Sequence, residues 1–318
     1  MAESTNFPTV WWDGKLTAWE HATIHVTQIG PASVSSVFEG IRAYLNPRTQ
    51  QLAVFQLDAH LKRFLQSIRL VRLECDYTLA ELHAALVDLV RANQPDRDVY
   101  IRPFAYAESR TFGSATSALA HVVMHVTAWE SKLQRVPNGS AGTEVVSHAT
   151  VSSWTRLTDN QMAPRVKASA NYLNSRYASE EAKRNGYDHA ILLTPQGQVA
   201  EGPGMCLMLV RNGKIITPSV TSGILESITR DTVMQLAREK LDVSVSEREL
   251  DRTELYTADE AFFCGTGIEI VPIVSVDRLN VGDGNPGEIT LHLLNMYHDI
   301  VRGIDAGYAE WRTVVSDQ

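Results

Sequence analysis

The sequence predicts a two-domain protein of the α+β or α/β class, with a small N-terminal α+β domain and a larger, barrel-like or mixed-sheet C-terminal domain. Three observations predict this. The chain has 318 residues, a length that typically divides into two domains. Helix-like and strand-like segments follow one another in the first third, whereas strand-like segments predominate later. Residues 130–142 contain a Pro-Asn-Gly run at 137–139 and little hydrophobic content, which is typical of a linker. We therefore expect domains at residues 1–129 and 143–318.

The N-terminal domain is expected to begin with a β-hairpin and to contain two helices. An Asp-Gly pair at 13–14 separates two short apolar runs, which is a tight-turn signal. Asp58 is a candidate cap for a helix that runs to about residue 73. Thr78 and Glu81 form a capping-box pattern for a second helix. The expected strands are Thr9–Trp12, Lys15–Thr17, Val37–Tyr44, Gln51–Phe55, Val99–Ala107 and Ala120–Trp129.

The C-terminal domain is expected to hold more strands and three helices. The Asn212-Gly213 pair is a second tight-turn signal. The expected helices are Asn171–Asn185, Ile228–Lys240 and Gly287–Arg302, and the first is closed by Gly186. The expected strands are Glu144–Trp154, Ala190–Leu193, Met205–Arg211, Lys214–Thr217 and Ala261–Phe263.

Composition and charge exclude several classes of function. The 29 basic and 37 acidic residues give a formal charge of −8, so the chain has no general attraction for nucleic acid or an anionic membrane. No apolar run approaches the roughly 18 residues of a membrane span, and the N-terminus has no signal-peptide pattern. Cys75, Cys206 and Cys264 fit neither a zinc site nor a disulfide framework. We therefore expect a cytoplasmic protein with reduced thiols and no metal.

Lys167 differs from the other lysines in its neighbours. Seven of the 29 basic residues are lysines, and the other six lie in turns, on polar helix faces or in the linker. Lys167 precedes the small residues Ala-Ser-Ala, which would let a planar ligand approach the backbone. A partly desolvated lysine there would be a nucleophilic amine. An ordinary surface lysine before a helix is the alternative.

A single acid and three anion-binding patterns complete the set of candidate site residues. Glu201 leads into a Gly-Pro-Gly turn, where it is either a solvated hairpin acid or a carboxylate that holds a proton on a ring nitrogen. Residues 225–231 begin a predicted helix, and residues 264–267 form a Gly-rich nest after a strand; both patterns suit an anion. Tyr100 and Arg102 share one strand face, where Arg102 could bind a carboxylate.

Seven segments, in this order, resemble fold-type IV pyridoxal-phosphate enzymes and, most closely, the branched-chain aminotransferase family. They are Ser36-Val-Phe-Glu-Gly-Ile-Arg42, His60-Leu-Lys-Arg63, Tyr100-Ile-Arg-Pro103, Lys167-Ala-Ser-Ala-Asn-Tyr-Leu173, Glu201-Gly-Pro-Gly204, Ile228-Thr-Arg-Asp231 and Gly265-Thr266. The resemblance runs from about Trp11 to about Val281. It implies the D-amino-acid aminotransferase-like fold, a homodimer or higher oligomer, and transfer of an amino group from a small-molecule donor to a 2-oxo acid.

The resemblance also implies roles for individual residues. Lys167 matches the catalytic lysine that bonds to pyridoxal 5′-phosphate, and Glu201 matches the acid that faces the pyridine nitrogen. The other positions that match cofactor-binding sites are Arg63, Tyr172, Leu225, Ser227, Ile228, Thr229, Gly265 and Thr266. The positions that match the substrate pocket are Ser33, Phe38, Gly40, Tyr100, Arg102 and Gly267.

The chain departs from the family pattern most clearly at Ser33, where branched-chain aminotransferases usually have a tyrosine. A tyrosine hydroxyl there helps to hold substrate carboxylates, so Ser33 opens one wall of the pocket. The leading hypothesis is transamination of a branched-chain or other hydrophobic L-amino acid. An R-selective amine transaminase or a D-amino-acid aminotransferase on the same fold is the second. A lyase and a non-catalytic cofactor-binding protein are weaker alternatives.

Overall fold

The computed structural model describes residues 6–107, 118–131 and 145–315. The chain divides into two compact units. The first comprises Met1–Ser131, Val166–Ala170 and Ile300–Gln318, and the second comprises Lys132–Arg165 and Asn171–Asp299. Most of the linker expected at 130–142 lies outside the described residues, so the predicted domain boundaries stay predictions.

The strands of the described residues are β1 (Thr9–Trp12), β2 (Lys15–Ala18), β3 (Val37–Phe38), β4 (Ile41–Leu45), β5 (Leu52–Phe55), β6 (Leu73–Glu74), β7 (Val99–Tyr106), β8 (Ala118–Leu119), β9 (His121–Ala128), β10 (Ser147–Thr155), β11 (His189–Leu193), β12 (Cys206–Arg211), β13 (Lys214–Thr217), β14 (Val245–Glu247), β15 (Glu260–Gly265), β16 (Glu269–Val276), β17 (Leu279–Asn280) and β18 (Arg312–Val315). The α-helices are α1 (Ile29–Ser35), α2 (Leu57–Leu70), α3 (Leu79–Asn93), α4 (Tyr172–Arg184), α5 (Ile228–Lys240) and α6 (Glu288–Val301).

The first unit is built on a sheet in the order β18-β5-β4-β7-β9-β1-β2, with β3 paired to β7. The predicted hairpin is present, and Trp12 lies opposite Lys15 across the turn. The central strand β7 alternates buried residues with exposed or half-buried ones, which is the period-2 pattern that predicted it. The chain returns at its C-terminus to add β18 beside β5.

The helices of the first unit begin largely as expected. In α3, Thr78 accepts a bond from the backbone N–H of Glu81, and the carboxylate of Glu81 accepts one from the backbone N–H of Thr78, so the predicted capping box is confirmed. The cap predicted at Asp58 is wrong, because α2 already begins at Leu57. Asp58 instead pairs with His83 of α3, 2.7 Å away.

The second unit holds a sheet in the order β11-β10-β16-β15-β12-β13-β14, with β17 paired to β16. Its pairings are both parallel and antiparallel, as a mixed sheet requires. Burial of side chains such as Leu207, Phe263 and Ile273 forms its core, and such burial is the main stabilising contribution.

Several elements were missed from the sequence, among them α1 and the strands β6, β8, β14, β16, β17 and β18. Every residue of β16 is buried, but Pro272 argues against a central strand because it cannot donate a ladder hydrogen bond. The short helix α1 lacks a capping side chain and so carries no start signal. In the part of the chain that the structure describes, no helix has the length and apolar character to cross a membrane.

Candidate active site

Lys167 lies in a short segment that pairs with the chain around β3. The backbone N–H of Phe38 donates to the carbonyl oxygen of Lys167 over 2.9 Å. The backbone N–H of Ser169 donates to the carbonyl of Ser36, also over 2.9 Å. The hydroxyls of Ser36 and Ser169 add a hydrogen bond of 2.6 Å. These bonds on both sides of Lys167 fix the backbone from which its side chain projects.

The ring of Phe38 brings two predicted site residues together. Nζ of Lys167 lies 4.8 Å from the ring centroid, and Cζ of Arg102 lies 4.6 Å from it. Cations are attracted to an aromatic face at these distances. The half-buried Lys167 and the exposed Arg102 therefore place an amine and a carboxylate-binding group around one side chain.

Gly40 and Tyr100 are packed so closely that only glycine fits. A Cβ atom on Gly40 would lie 1.6 Å from the hydroxyl oxygen of Tyr100. Tyr100 lies on β7 opposite Arg42 of β4, and its ring packs against Trp129 with centroids 5.3 Å apart. The absence of a side chain at Gly40 thus sets the position of the Tyr100 hydroxyl.

Arg63 is held by a buried acid that sequence analysis did not single out. Nε and Nη2 of Arg63 donate to the two carboxylate oxygens of Glu39 over 2.7 and 2.8 Å. Nδ1 of His60 lies 2.9 Å from Oε2 of Glu39. Burial opposes ionisation, but the charge and hydrogen bonds of Arg63 and His60 hold the pKa of Glu39 well below its ordinary value. Burial lowers the pKa of His60, so a neutral ring donates to an ionised carboxylate.

Glu201 is buried in the second unit with three polar neighbours. Nη2 of Arg156 lies 2.7 Å from its Oε1 atom. The backbone N–H of Leu225 donates to Oε2 over 3.1 Å. Sγ of Cys206 lies 4.0 Å from Oε2, and burial, followed by the charge of Glu201, raises the pKa of this thiol well above its ordinary value. Cys206 therefore stays protonated, and the charge beside Glu201 comes from Arg156.

The first turn of α5 forms a candidate phosphate site. The hydroxyl of Ser227 accepts a bond from the backbone N–H of Arg230, which caps the helix. The hydroxyl oxygens of Thr229 and Thr266 lie 3.4 Å apart. The N–H groups of a first helical turn have no partners within the helix and carry a partial positive charge. Ile228 begins this turn, so hydroxyls and backbone donors meet where a phosphate would bind.

The remaining predicted residues of the second unit take different positions. Tyr172 begins α4, and its ring lies 3.5 Å from the place that a Cβ on Gly204 would occupy. Gly265 ends β15 and is buried, whereas Gly267 is exposed. A Cβ on Gly267 would meet no atom within 4 Å, so packing does not explain glycine there.

Ser33 lies on the exposed side of α1, and its backbone carbonyl accepts a bond from the hydroxyl of Ser36 over 2.9 Å. Its hydroxyl donates to the carbonyl of Gly30 over 3.1 Å. It lines a mainly apolar cavity of about 260 Å³ together with side chains that include Trp12, Phe104 and Tyr106. A serine thus leaves space beside aromatic rings.

Three residues of the candidate site, Glu39, His60 and Arg156, were not predicted from the sequence. Glu39 and His60 stand inside two of the matching segments, but no role was assigned to them. An acid within the apolar run Val37–Leu45 is itself a signal, because a buried carboxylate needs a partner. Arg156 directly follows β10, and no local sequence pattern indicates that it pairs with Glu201.

The residues present suit pyridoxal phosphate, group by group. The donors at the start of α5 suit its phosphate, the buried Glu201 carboxylate suits a protonated ring nitrogen, and the amine of Lys167 suits an aldehyde.

Comparisons with known proteins agree with this chemistry. Residues 36–276 match the family model described as amino-transferase class IV. The chain is 37% identical over 318 residues to a probable branched-chain-amino-acid aminotransferase of Aquifex aeolicus, and the match covers 100% of both chains. It is also 37% identical to the branched-chain-amino-acid aminotransferase of Pseudomonas aeruginosa, with 96% of this chain and 97% of the relative covered.

A solved structure is similar to this chain over nearly its whole length. The crystal structure of a branched-chain amino acid aminotransferase from Thermobaculum terrenum in its PLP form matches 98% of this chain and 100% of its own, with a TM-score of 0.93 and 46% identity. The predicted fold is therefore confirmed.

Proposed function

The chain belongs to the class IV aminotransferases, and we propose from this that it moves an amino group between a branched-chain or other hydrophobic L-amino acid and a 2-oxo acid, with pyridoxal 5′-phosphate as cofactor. The observation that carries the proposal is the pair of cations at Phe38. Lys167 and Arg102 lie 4.8 and 4.6 Å from that ring. A nucleophilic amine and a guanidinium that binds a carboxylate of the 2-oxo acid are two groups that this reaction needs.

Pyridoxal phosphate, when bound, supplies an aldehyde that bonds to amines and a ring that withdraws electrons from the substrate α-carbon. Lys167 is proposed to bond to that aldehyde and, once displaced, to carry the proton between the substrate α-carbon and the cofactor carbon. Glu201 is proposed to keep a proton on the ring nitrogen of pyridoxal phosphate. Its hydrogen bond from the Leu225 N–H holds the carboxylate in one orientation.

The phosphate is proposed to bind at the start of α5, next to the hydroxyls of Thr229 and Thr266. The matches of Arg63, Ser227, Ile228 and Gly265 to cofactor-binding positions support this assignment, as does the Tyr172 match beside the ring. Glu39 supports Arg63 through two hydrogen bonds, which fix the plane of the guanidinium.

The substrate is proposed to lie near Phe38, Gly40, Tyr100 and Arg102, with Gly267 also lining the pocket. The names of the relatives support a branched-chain substrate. One observation favours a second candidate, an R-selective amine transaminase. Ser33 stands beside an apolar cavity of about 260 Å³, which would favour bulky aryl groups over carboxylates.

A homodimer is proposed because the segment from β2 to α1 exposes large apolar side chains. Val26, Ile29 and Val34 are 69%, 52% and 66% exposed, and a cluster of this kind typically marks an interface. Sedimentation of the purified protein would test this, with Val34→Lys expected to yield monomers.

A cytoplasmic location is proposed because Cys75, Cys206 and Cys264 are free thiols.

The decisive experiment compares two complete transamination reactions of the purified, cofactor-loaded protein. L-leucine followed by 2-oxoglutarate should turn over, whereas R-1-phenylethylamine followed by pyruvate should react at least about tenfold more slowly. Arg102→Ala should slow 2-oxoglutarate more than pyruvate, because only 2-oxoglutarate has a second carboxylate for the guanidinium. Faster reaction of the aryl amine would favour the second candidate, and reaction of neither donor would contradict both.

A further inference from the structure

We propose that His125 is a second carboxylate-binding residue beside Arg102, and that it selects dicarboxylate over monocarboxylate 2-oxo acids. This inference rests on the proposed function, since it concerns the acceptor in that reaction. It adds a residue outside the seven matching segments.

The pairing of β7 with β9 places the two residues side by side. Arg102 lies directly opposite His125 in the antiparallel register. Opposite residues project from the same sheet face, with Cβ atoms about 4.5–5.5 Å apart. The guanidinium of Arg102 also packs on Phe38, on which the amine of Lys167 lies. His125 therefore shares the face that carries the proposed carboxylate site.

Aromatic side chains hold the His125 ring edge-on. Its centroid lies 6.1 Å from that of Trp19 and 6.4 Å from that of Phe104, at interplanar angles of 63° and 71°. Its buried Nδ1 atom has no hydrogen-bond partner among the residues that the structure describes. Buried polar atoms are normally paired. A ligand carboxylate at Arg102 would give the imidazole an acceptor for its N–H group.

The charge state of His125 fits this role. Burial, with the charge of Arg102 as the second cause, lowers the pKa of His125 to about 4, so the ring is neutral near pH 7 and offers one donor. Other titratable groups on the neighbouring elements, none of them among the causes of this shift, are Asp13, Glu20, His21 and His121. A bound carboxylate would offset the charge of Arg102 and raise the pKa of His125.

The direct test is a histidine NMR titration of the cofactor-loaded protein with glutarate, an unreactive dicarboxylate. The signal missing from the His125→Gln spectrum identifies His125. Saturating glutarate should raise its pKa by about one unit or more, whereas the uncharged glutaramide should not. His121, which is paired with Asp13 at 2.7 Å, is the matched control and should not respond. An unmoved pKa of His125 would overturn the proposal.

Steady-state kinetics of two His125 variants provide a second test. His125→Phe keeps a ring for Trp19 and Phe104 to pack against, but it removes the donor. The KM for 2-oxoglutarate should rise about tenfold, whereas the KM for 4-methyl-2-oxopentanoate should stay unchanged. The variant His125→Gln, which keeps a donor, should partly restore the low KM for 2-oxoglutarate. Equal rises for both acceptors would make His125 structural and overturn the proposal. The glutarate titration needs no turnover, so a failure of the proposed function would be recognised separately, by absent reaction with leucine.

Discussion

Arg156 and Glu201 form a buried ion pair, with Nη2 of Arg156 2.7 Å from Oε1 of Glu201 and the side chains only 7% and 4% exposed. A second bond, from Nε of Arg156 to the carbonyl of Gly223 over 3.0 Å, holds the guanidinium in place. The carboxylate proposed to serve the ring nitrogen is therefore paired with a cation of this chain. Removing either partner leaves an unpaired charge in the interior.

Arg156→Met is expected to lower the free energy of unfolding by about 3–5 kcal/mol, because Glu201 loses its buried partner. Urea unfolding monitored by circular dichroism would measure this. The double variant Arg156→Met/Glu201→Gln should recover part of the loss, since it removes both charges. A loss below about 1 kcal/mol in the single variant would contradict the buried pair.

Glu201→Gln is expected to slow the half-reaction with leucine about 10²-fold or more, because an electrostatic contribution of a few kcal/mol to the transition state is lost. Stopped-flow absorbance of the cofactor would measure the rate constant. Glu180→Gln, at an exposed acid of α4 in the same unit, is the matched control and should retain the rate. An unchanged rate in Glu201→Gln would remove this residue from the site.

Lys167→Ala is expected to abolish transamination, since no other lysine of the described residues lies in a comparable setting. Borohydride reduction of the loaded protein, followed by peptide mass spectrometry, should label Lys167. Lys183→Ala, in the last turn of α4, should leave turnover and labelling intact. Substantial turnover in Lys167→Ala, or a label on another lysine, would contradict the assignment.

Gly40→Ala is expected to displace Tyr100, because the new methyl group would lie 1.6 Å from its hydroxyl oxygen. Overpacking of this kind typically costs about 1–3 kcal/mol, and the KM for leucine should rise. Thermal unfolding and steady-state kinetics would measure the two effects. Gly30→Ala is the control for stability, because a Cβ there would meet no atom within 4 Å. Equal melting temperatures for the two variants would contradict the close contact.

Glu39 should make the stability of the protein depend on pH. Its folded-state pKa is lowered from an ordinary 4.5, so its stabilising contribution is complete above that value and is lost as the pH falls below it. Glu39→Gln should therefore reduce unfolding free energy by about 3 kcal/mol at pH 7 and flatten the decline below pH 4.5. Urea unfolding at pH 7, 5 and 4 would measure this. Asp58→Asn, at an acid 57% exposed, should leave the pH dependence intact.

Local structure could be predicted wherever the signal and the structure lie within a few residues of each other. The capping box of Thr78 and Glu81 and the bounds Ile228–Lys240 are confirmed, because capping and helical periodicity act over one or two turns. The family, the fold and the enzyme class were also predictable, because seven ordered segments are far more specific than any single motif. The predicted roles of individual site residues stay predictions.

The sequence by itself determined the residue types of the candidate site, whereas the tertiary structure decided which of them are neighbours. Nothing local to Arg63 indicates that Glu39, 24 residues earlier, binds it. Nothing near Arg156 indicates that Glu201 is its partner, and no pattern places His125 opposite Arg102. Ion pairs and strand registers of this kind depend on the path of the chain between the partners, and a charge buried by that path is stable only beside a group that compensates it.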